Sequence, residues 1–398
     1  MQKDPEITQA GTASKAIPFY NDPKKRAILF QIGTLLLVGL LSFYLISNTI
    51  TNLEKQSIAT GIGFLQKEAA FEIGETPIEY SAADTYGRAL VVGFLNTLIV
   101  SSVGIIITIL LGTLIGVARL SSNWIVSKLA GWYIELFQDI PVLLQLFFWY
   151  AFFYNILPSP KQALNPIVGV FLSNRGLVFG IPESHPVFKY MALAMVIACI
   201  GIYFLRRWAR ARQERTGQLF PVFRVGLAAV IGFPLLTWIL GGAPTAMNIP
   251  TLQGFNFVGG RNISPEFTAL LLGLILYTAA YVAEVVRAGI QSVNKGQTEA
   301  AMSMGLKPAF VLNLVILPQA LRVIIPPLTS QMLNLTKNSS LAVAIGYPDF
   351  VSVAGTTINQ TGQAIEGVAL MMIVYLTLSL ITSAFMNWYN KKMALVER

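Results

Sequence analysis

The 398-residue chain has a single cysteine, Cys199, and a single histidine, His185. No disulfide can form within it, no Cys/His metal cluster can be assembled, and a histidine-based nucleophilic triad has little to draw on. Cys199 lies in the apolar run MALAMVIACIGIYF and reads as a small lipid- or core-facing residue. His185 lies in the Pro-flanked stretch IPESHPVF and reads as a solvated loop residue. Charge is also scarce, at 12% of residues against 54% hydrophobic. A soluble domain carries roughly a quarter charged residues. Half that share leaves too little polar surface for a water-soluble particle of this size, and a bilayer is the natural solvent for the rest.

What is present is a series of long apolar runs, at 28–50, 90–118, 132–157, 189–205, 223–241, 265–286, 319–345 and 366–389. About eight transmembrane helices are expected. Pro326 and Pro327 should break the run 319–345 into two shorter helices or bend it. No secretory signal peptide is expected: the first 27 residues are polar, and the run after them is too long and lacks a small-residue cleavage site.

The formal charge of +9 is unevenly spread. With the N-terminus inside, Lys and Arg crowd the cytoplasmic segments, among them Lys24, Lys25 and Arg26, the stretch RRWARARQER (206–215), and Lys391 and Lys392. The opposite side holds fewer, among them Lys55, Lys67, Lys161, Arg175, Lys189 and Arg261. This positive-inside bias predicts both termini in the cytoplasm of a bacterial inner-membrane protein, and lipid rather than nucleic acid as the basic stretch's neighbour. Segments 51–88 and 158–188 become long external loops, either surfaces for a partner or connectors, and 243–264 reads as an irregular loop with turn chemistry. The domain division is a cytoplasmic tail (1–27), a first span with a periplasmic loop (28–88), a main transmembrane domain (89–390) and a C-terminal tail (391–398).

The segment 287–322, RAGIQSVNKGQTEAAMSMGLKPAFVLNLVILPQALR, is too polar for the membrane core. Thr298 is the expected cap of a short helix with Glu299 in its first turn, Gly305 its end, and Pro308 the opening of the next helix. Its small residues allow close approach by another protein. Glu299-Ala300-Ala301, then Gly305, then Leu317-Pro318 resembles the EAA loop of permease subunits of binding-protein-dependent ABC importers. AEVVRAGIQSV (283–293), LPQALRVIIPPLTSQMLNLTKNSSLA (317–342) and NTL…ARL (96–120) are similar to the polar amino acid branch, over roughly 88–390. The extra span and long loop look like the larger permease subunit of general L-amino acid importers, or of glutamate/glutamine/aspartate/asparagine importers. The stretch FQDIP (137–141) departs from the Arg-Asn-Thr-Pro common in that branch.

The resemblance implies an all-α type I importer permease fold with the coupling loop at 287–318. It implies Glu299 as a polar contact to a separate ATPase, Ala300 and Ala301 as the packing surface, Gly305 as the turn, and Leu317 and Pro318 completing the motif. It implies as partners a second permease chain, either a distinct homologue, which the extra span and long loop favour, or a second copy of this chain, together with two ATPase subunits and a periplasmic amino-acid-binding protein. ATP and Mg would be bound by the ATPase, because no G-x-x-x-x-G-K-[ST] loop occurs here, and the chain itself carries no cofactor and is no enzyme.

Ionisable groups at membrane depth are costly and are candidates for function. Glu284 either faces the pore, meeting a substrate ammonium, or pairs with Arg287 at i,i+3. Lys337, with Asn334 and Asn338, forms a polar patch that either borders the substrate path or places a snorkelling lysine. The rivals are an ion-coupled secondary amino acid transporter, which needs paired broken helices, and a membrane enzyme, which one His and one Cys make improbable.

Overall fold

The computed structural model describes residues 23–55, 60–218 and 220–393. The expected tails therefore lie outside the described residues up to residue 22 and beyond residue 393. Helices α1 (Pro23–Lys55), α2 (Tyr86–Arg119), α5 (Pro186–Thr216), α6 (Val222–Leu240), α7 (Pro265–Gln291), the helical run 308–345 and α12 (Ala364–Met393) supply seven stretches long and apolar enough to cross a membrane. An eighth comes from α3 (Trp124–Asp139) and α4 (Val142–Ile156), provided this bent pair is taken as one span.

The single helix expected over 132–157 is thus two, bent by 102°. Pro141 causes the break: the residue before a proline is driven out of the helical region, and Ile140 is extended at φ −95, ψ 125. The carbonyls freed at the end of α3 are satisfied by one buried side chain. Gln145 Nε2 donates to Phe137 O at 3.0 Å and to Ile140 O at 2.9 Å.

At Pro326 and Pro327 the outcome is the reverse. Helix α10 (Leu317–Asn338) runs through both. Each proline removes one backbone donor, but both rings lie on the exposed face, while Ile324, Ile325 and Met332 on the other face are buried and hold the helix in place. The interruption comes later. After Asn338 the chain tightens into a 3-10 turn (Ser339–Ile345), passes Gly346 and Tyr347, and restarts as α11 (Phe350–Thr361). Asp349 caps α11, accepting from Ser352 N at 2.9 Å.

The centre of the bundle is the parallel pair α2 and α7. A Cβ added at Gly112 would meet Val282 at 2.6 Å, and one at Gly116 would meet Ala283 O at 2.6 Å, so the two backbones approach as only glycine permits. Helix α10 runs antiparallel to α7, against Gly289. α1 is exposed along its whole apolar length, and α5 and α6 pack principally on each other. These faces suit lipid.

One end of the bundle carries extra structure. Residues 60–85 form an ordered loop, with Phe64, Ala69 and Ile73 buried against Tyr86, Leu90 and Phe350. The stretches read as loops on either side of α5–α6 instead form short antiparallel strands. These are β1 (Leu164–Ile167), β2 (Val170–Ser173), β3 (Gly176–Phe179), β4 (Ile181–Pro182), β5 (Met247–Asn248), β6 (Thr251–Gln253), β7 (Asn256–Val258) and β8 (Arg261–Ile263). The orders β1-β2-β3-β8, β4-β5 and β6-β7 close the base of the α5–α6 hairpin. The membrane part is all-helical as expected. Two of the pairings, β3–β8 and β4–β5, join segments on opposite sides of α5–α6 and leave no local signal, whereas β1–β2, β2–β3 and β6–β7 are local hairpins whose strands are too short to show a clear alternation.

Candidate functional site

At the opposite end of the bundle, α7 hands the chain to α8 (Lys295–Ser303). The cap is Asn294, not Thr298: its Oδ1 accepts from Gly296 N at 2.8 Å, so the helix starts earlier and Glu299 sits in its middle. The C-terminal end is a complete Schellman closure. Gly305 N donates to Met302 O at 2.9 Å, and Leu306 N donates to Ala301 O at 3.3 Å. Gly305 has φ +81, which a Cβ-bearing residue adopts only with strain.

This geometry divides the motif. Ala301 is buried, and its carbonyl closes the cap, so it faces its own chain rather than a docking surface. Glu299 and Ala300 are exposed, as are the apolar side chains of Met302, Met304 and Phe310 in the same segment.

Pro308 opens α9 (Pro308–Val311), as expected, with Lys307 as its cap. Between α9 and α10 lies one π turn, Leu312–Ile316, closed by Leu317 N donating to Leu312 O. Pro318 then supplies no donor. The Leu-Pro pair therefore sits where the helix changes from a wide turn to a regular one. The next residue, Gln319, was not singled out in the sequence. Its Nε2 donates to Val315 O at 2.9 Å and also bonds Gln297 Oε1, tying α8 to α10. Two glutamines 22 positions apart carry no local signal of such a contact.

The four residues considered for a substrate path separate. Glu284 pairs with Arg287, whose Nε donates to Oε2 at 2.9 Å and whose Nη2 donates to Oε1. Arg287 also donates to Gln291 at 2.6 Å. Asn334 and Asn338 do come together, with Gln331, on one face of α10. They line a polar cavity of about 260 Å³ against Tyr277, Thr278 and Tyr281 of α7. The Tyr277 and Tyr281 hydroxyls are 3.3 Å apart, and the buried Thr278 Oγ1 has no hydrogen-bond partner. Lys337 is exposed and does not line this cavity. The tyrosines were missed in the sequence because nothing in one apolar helix reveals the face that meets another.

Residues 104–395 match the family described as "Binding-protein-dependent transport system inner membrane component". The general L-amino acid transport system permease protein AapQ of Rhizobium johnstonii is 48% identical over 377 residues, 95% of this chain and 94% of that protein. The putative amino-acid ABC transporter permease protein YhdX of Escherichia coli K12 is 49% identical over 388 residues, 97% of this chain and 98% of that protein. The glutamate/glutamine/aspartate/asparagine transport system permease protein BztB of Rhodobacter capsulatus is 40% identical over 409 residues, 95% of this chain and 96% of that protein.

Proposed function

This chain belongs to the inner-membrane components of binding-protein-dependent transport systems, and from that premise we propose that it forms one half of an ATP-driven amino acid pore. The amino acid class comes from the names of the relatives, all of them amino acid permeases. The observation that carries the mechanism is α8, a short helix at one end of the bundle, closed at both ends and tied to α10 through Gln297 and Gln319.

In this reading α8 faces the cytoplasm and docks on an ATPase through Glu299 and Ala300, with the exposed Met302, Met304 and Phe310 of the same segment adding apolar surface. A second permease, homologous but distinct, and a second ATPase complete the pore, and a binding protein delivers the substrate to the opposite end. ATP and Mg bind the ATPase subunits. Closure of the ATPase dimer moves α8, and the tie to α10 passes that movement into the helix that lines the polar cavity with Asn334 and Asn338. ATP favours one of two states of the pore, and hydrolysis restores the other. The chain contributes no catalytic group to ATP hydrolysis.

Co-purification tests this. Wild-type chain solubilised in detergent should bring down an ATPase and a second permease, and Glu299→Lys should lose the ATPase while keeping the permease. Wild-type chain that drives amino acid uptake from an ion gradient with no ATPase bound would overturn the reading in favour of secondary transport.

A further inference from the structure

The end of the bundle opposite α8 holds a large cleft that the pore mechanism does not use. Glu75 of the loop 60–85 stands in the middle of it, where its Oε1 accepts from Ser264 N, the cap of α7, at 3.1 Å. A lobe of about 690 Å³ opens on one side and one of about 710 Å³ on the other. Both lobes are lined by Gly74, Glu75 and Asn262, so they form one cleft with Glu75 as its divider.

The charges around this cleft are of both signs. Glu72, Glu266 and Arg175 line the first lobe, and Arg261 lines the second. Among the described residues none of these groups, nor Glu75, makes an ion pair; the pairs found are Arg88–Asp84 and Arg287–Glu284. Burial pushes the Glu75 carboxyl above the ordinary carboxylate range. The Ser264 hydrogen bonds and Arg261 pull it down, and Glu266 adds to the upward push. Asn174 Oδ1, in the wall of the first lobe, is buried and has no partner. Tyr154 and Phe257 supply apolar wall beside these polar groups.

Glu72, Arg175 and Arg261 are exposed to solvent, whereas Glu75 and Glu266 are half-buried, and half-buried carboxylates left without a cation are destabilising. A ligand carrying both charges resolves this: an ammonium between Glu75 and Glu266, and a carboxylate on Arg261. Concave shape, apolar wall and a few convergent polar groups are the marks of a small-molecule site. We infer that this cleft is a binding site for the zwitterionic head of a free α-amino acid, distinct from the cavity at Asn334 and placed to receive substrate before it enters the bundle. The inference rests on the amino acid reading above, and it adds a first station on the substrate's route.

The test uses the full chain in nanodiscs with its co-purifying ATPase, and radiolabelled L-glutamine as probe. Glutaramic acid, which lacks the ammonium, and 4-aminobutanamide, which lacks the carboxylate, serve as competitors. Glu75→Gln keeps an acceptor for Ser264 N and removes only the charge. It should weaken L-glutamine about tenfold, the equivalent of one modest charge contact, and leave glutaramic acid unchanged. Arg261→Gln should do the converse, sparing 4-aminobutanamide. Lys337→Met, outside this cleft and outside the cavity at Asn334, should leave this binding intact. Binding of L-glutamine unaffected by either charge removal, or weakened equally for all three compounds, overturns the site. If ATP-driven uptake by the assembled importer proceeds while the isolated complex binds no L-glutamine, the site falls and the transport reading stands. If ATP drives no amino acid uptake at all, the transport reading falls first.

Discussion

Gly305→Ala separates what the α8 closure does from what Glu299 does. The residue sits at φ +81, and no atom lies within 4 Å of an added Cβ, so the substitution introduces backbone strain and nothing else. A left-handed conformation costs an L-residue roughly 1–2 kcal/mol, and alanine's lower freedom in the unfolded chain offsets part of that. The net is about 1 kcal/mol, equivalent to about a fivefold rise in the open fraction of the loop if closure is local. The assay is hydrogen exchange in nanodiscs, read at the amides of Gly305 and Leu306 in the wild type, whose bonds to Met302 O and Ala301 O close the helix. Exchange there should quicken about fivefold, and Gly305→Asn should lie between, because asparagine tolerates the left-handed region. Co-purification of the ATPase should fall only in proportion to the closed fraction lost. Glu299→Lys, on the exposed face, should leave exchange unchanged and remove the ATPase. Unchanged exchange in Gly305→Ala, or a loop opened equally by Glu299→Lys, would refute this division of roles.

At Gly289 a Cβ would meet Ile324 at 2.2 Å, so Gly289→Ala should lower stability in detergent by about 1–3 kcal/mol, seen as a drop in thermal midpoint, and Gly289→Ala combined with Ile324→Ala should cost clearly less than the sum of the two single changes. Asn334→Ala should change uptake because Asn334 lines the cavity with Tyr277 and Tyr281, whereas Lys337→Met, outside that cavity, should transport as the wild type does, and an equal loss in both counts against the cavity as path. L-glutamine binding to the outer cleft should weaken on acidification, and sooner than an ordinary glutamate predicts. Burial raises the Glu75 pKa, so the site's charge is present above that raised value and lost as pH falls through it. The groups facing Glu75 are Arg261, Glu266 and Tyr347, with Glu72 and Arg175 on the cleft wall, and Glu75→Gln should abolish this acid limb.

Much of the molecule was legible without coordinates. Hydropathy over some twenty residues is a local property, so seven of the expected runs fall on helices long enough to span. Gly305 marked where a short helix ends, and Pro308 where the next begins. The Glu284–Arg287 pair was also readable, since i,i+3 neighbours on a helix meet whatever the tertiary fold.

What the sequence determined by itself is therefore what depends on near neighbours along the chain: a membrane solvent, the number and rough limits of the spans, the short helix α8 and its glycine end. What only the tertiary structure decided is what depends on contacts between distant segments. It decided that Pro141 bends a span by 102° while Pro326 and Pro327 leave theirs running, because one break has Gln145 to satisfy its carbonyls and the other has a buried face to hold the helix. It turned Ala301 inward and Ala300 outward, brought Asn334 to Tyr277, and set Glu75 between two lobes of one cleft with Arg261 and Glu266 around it. Apolar helices look alike from within their own sequence, and which face meets which neighbour is settled only when they pack.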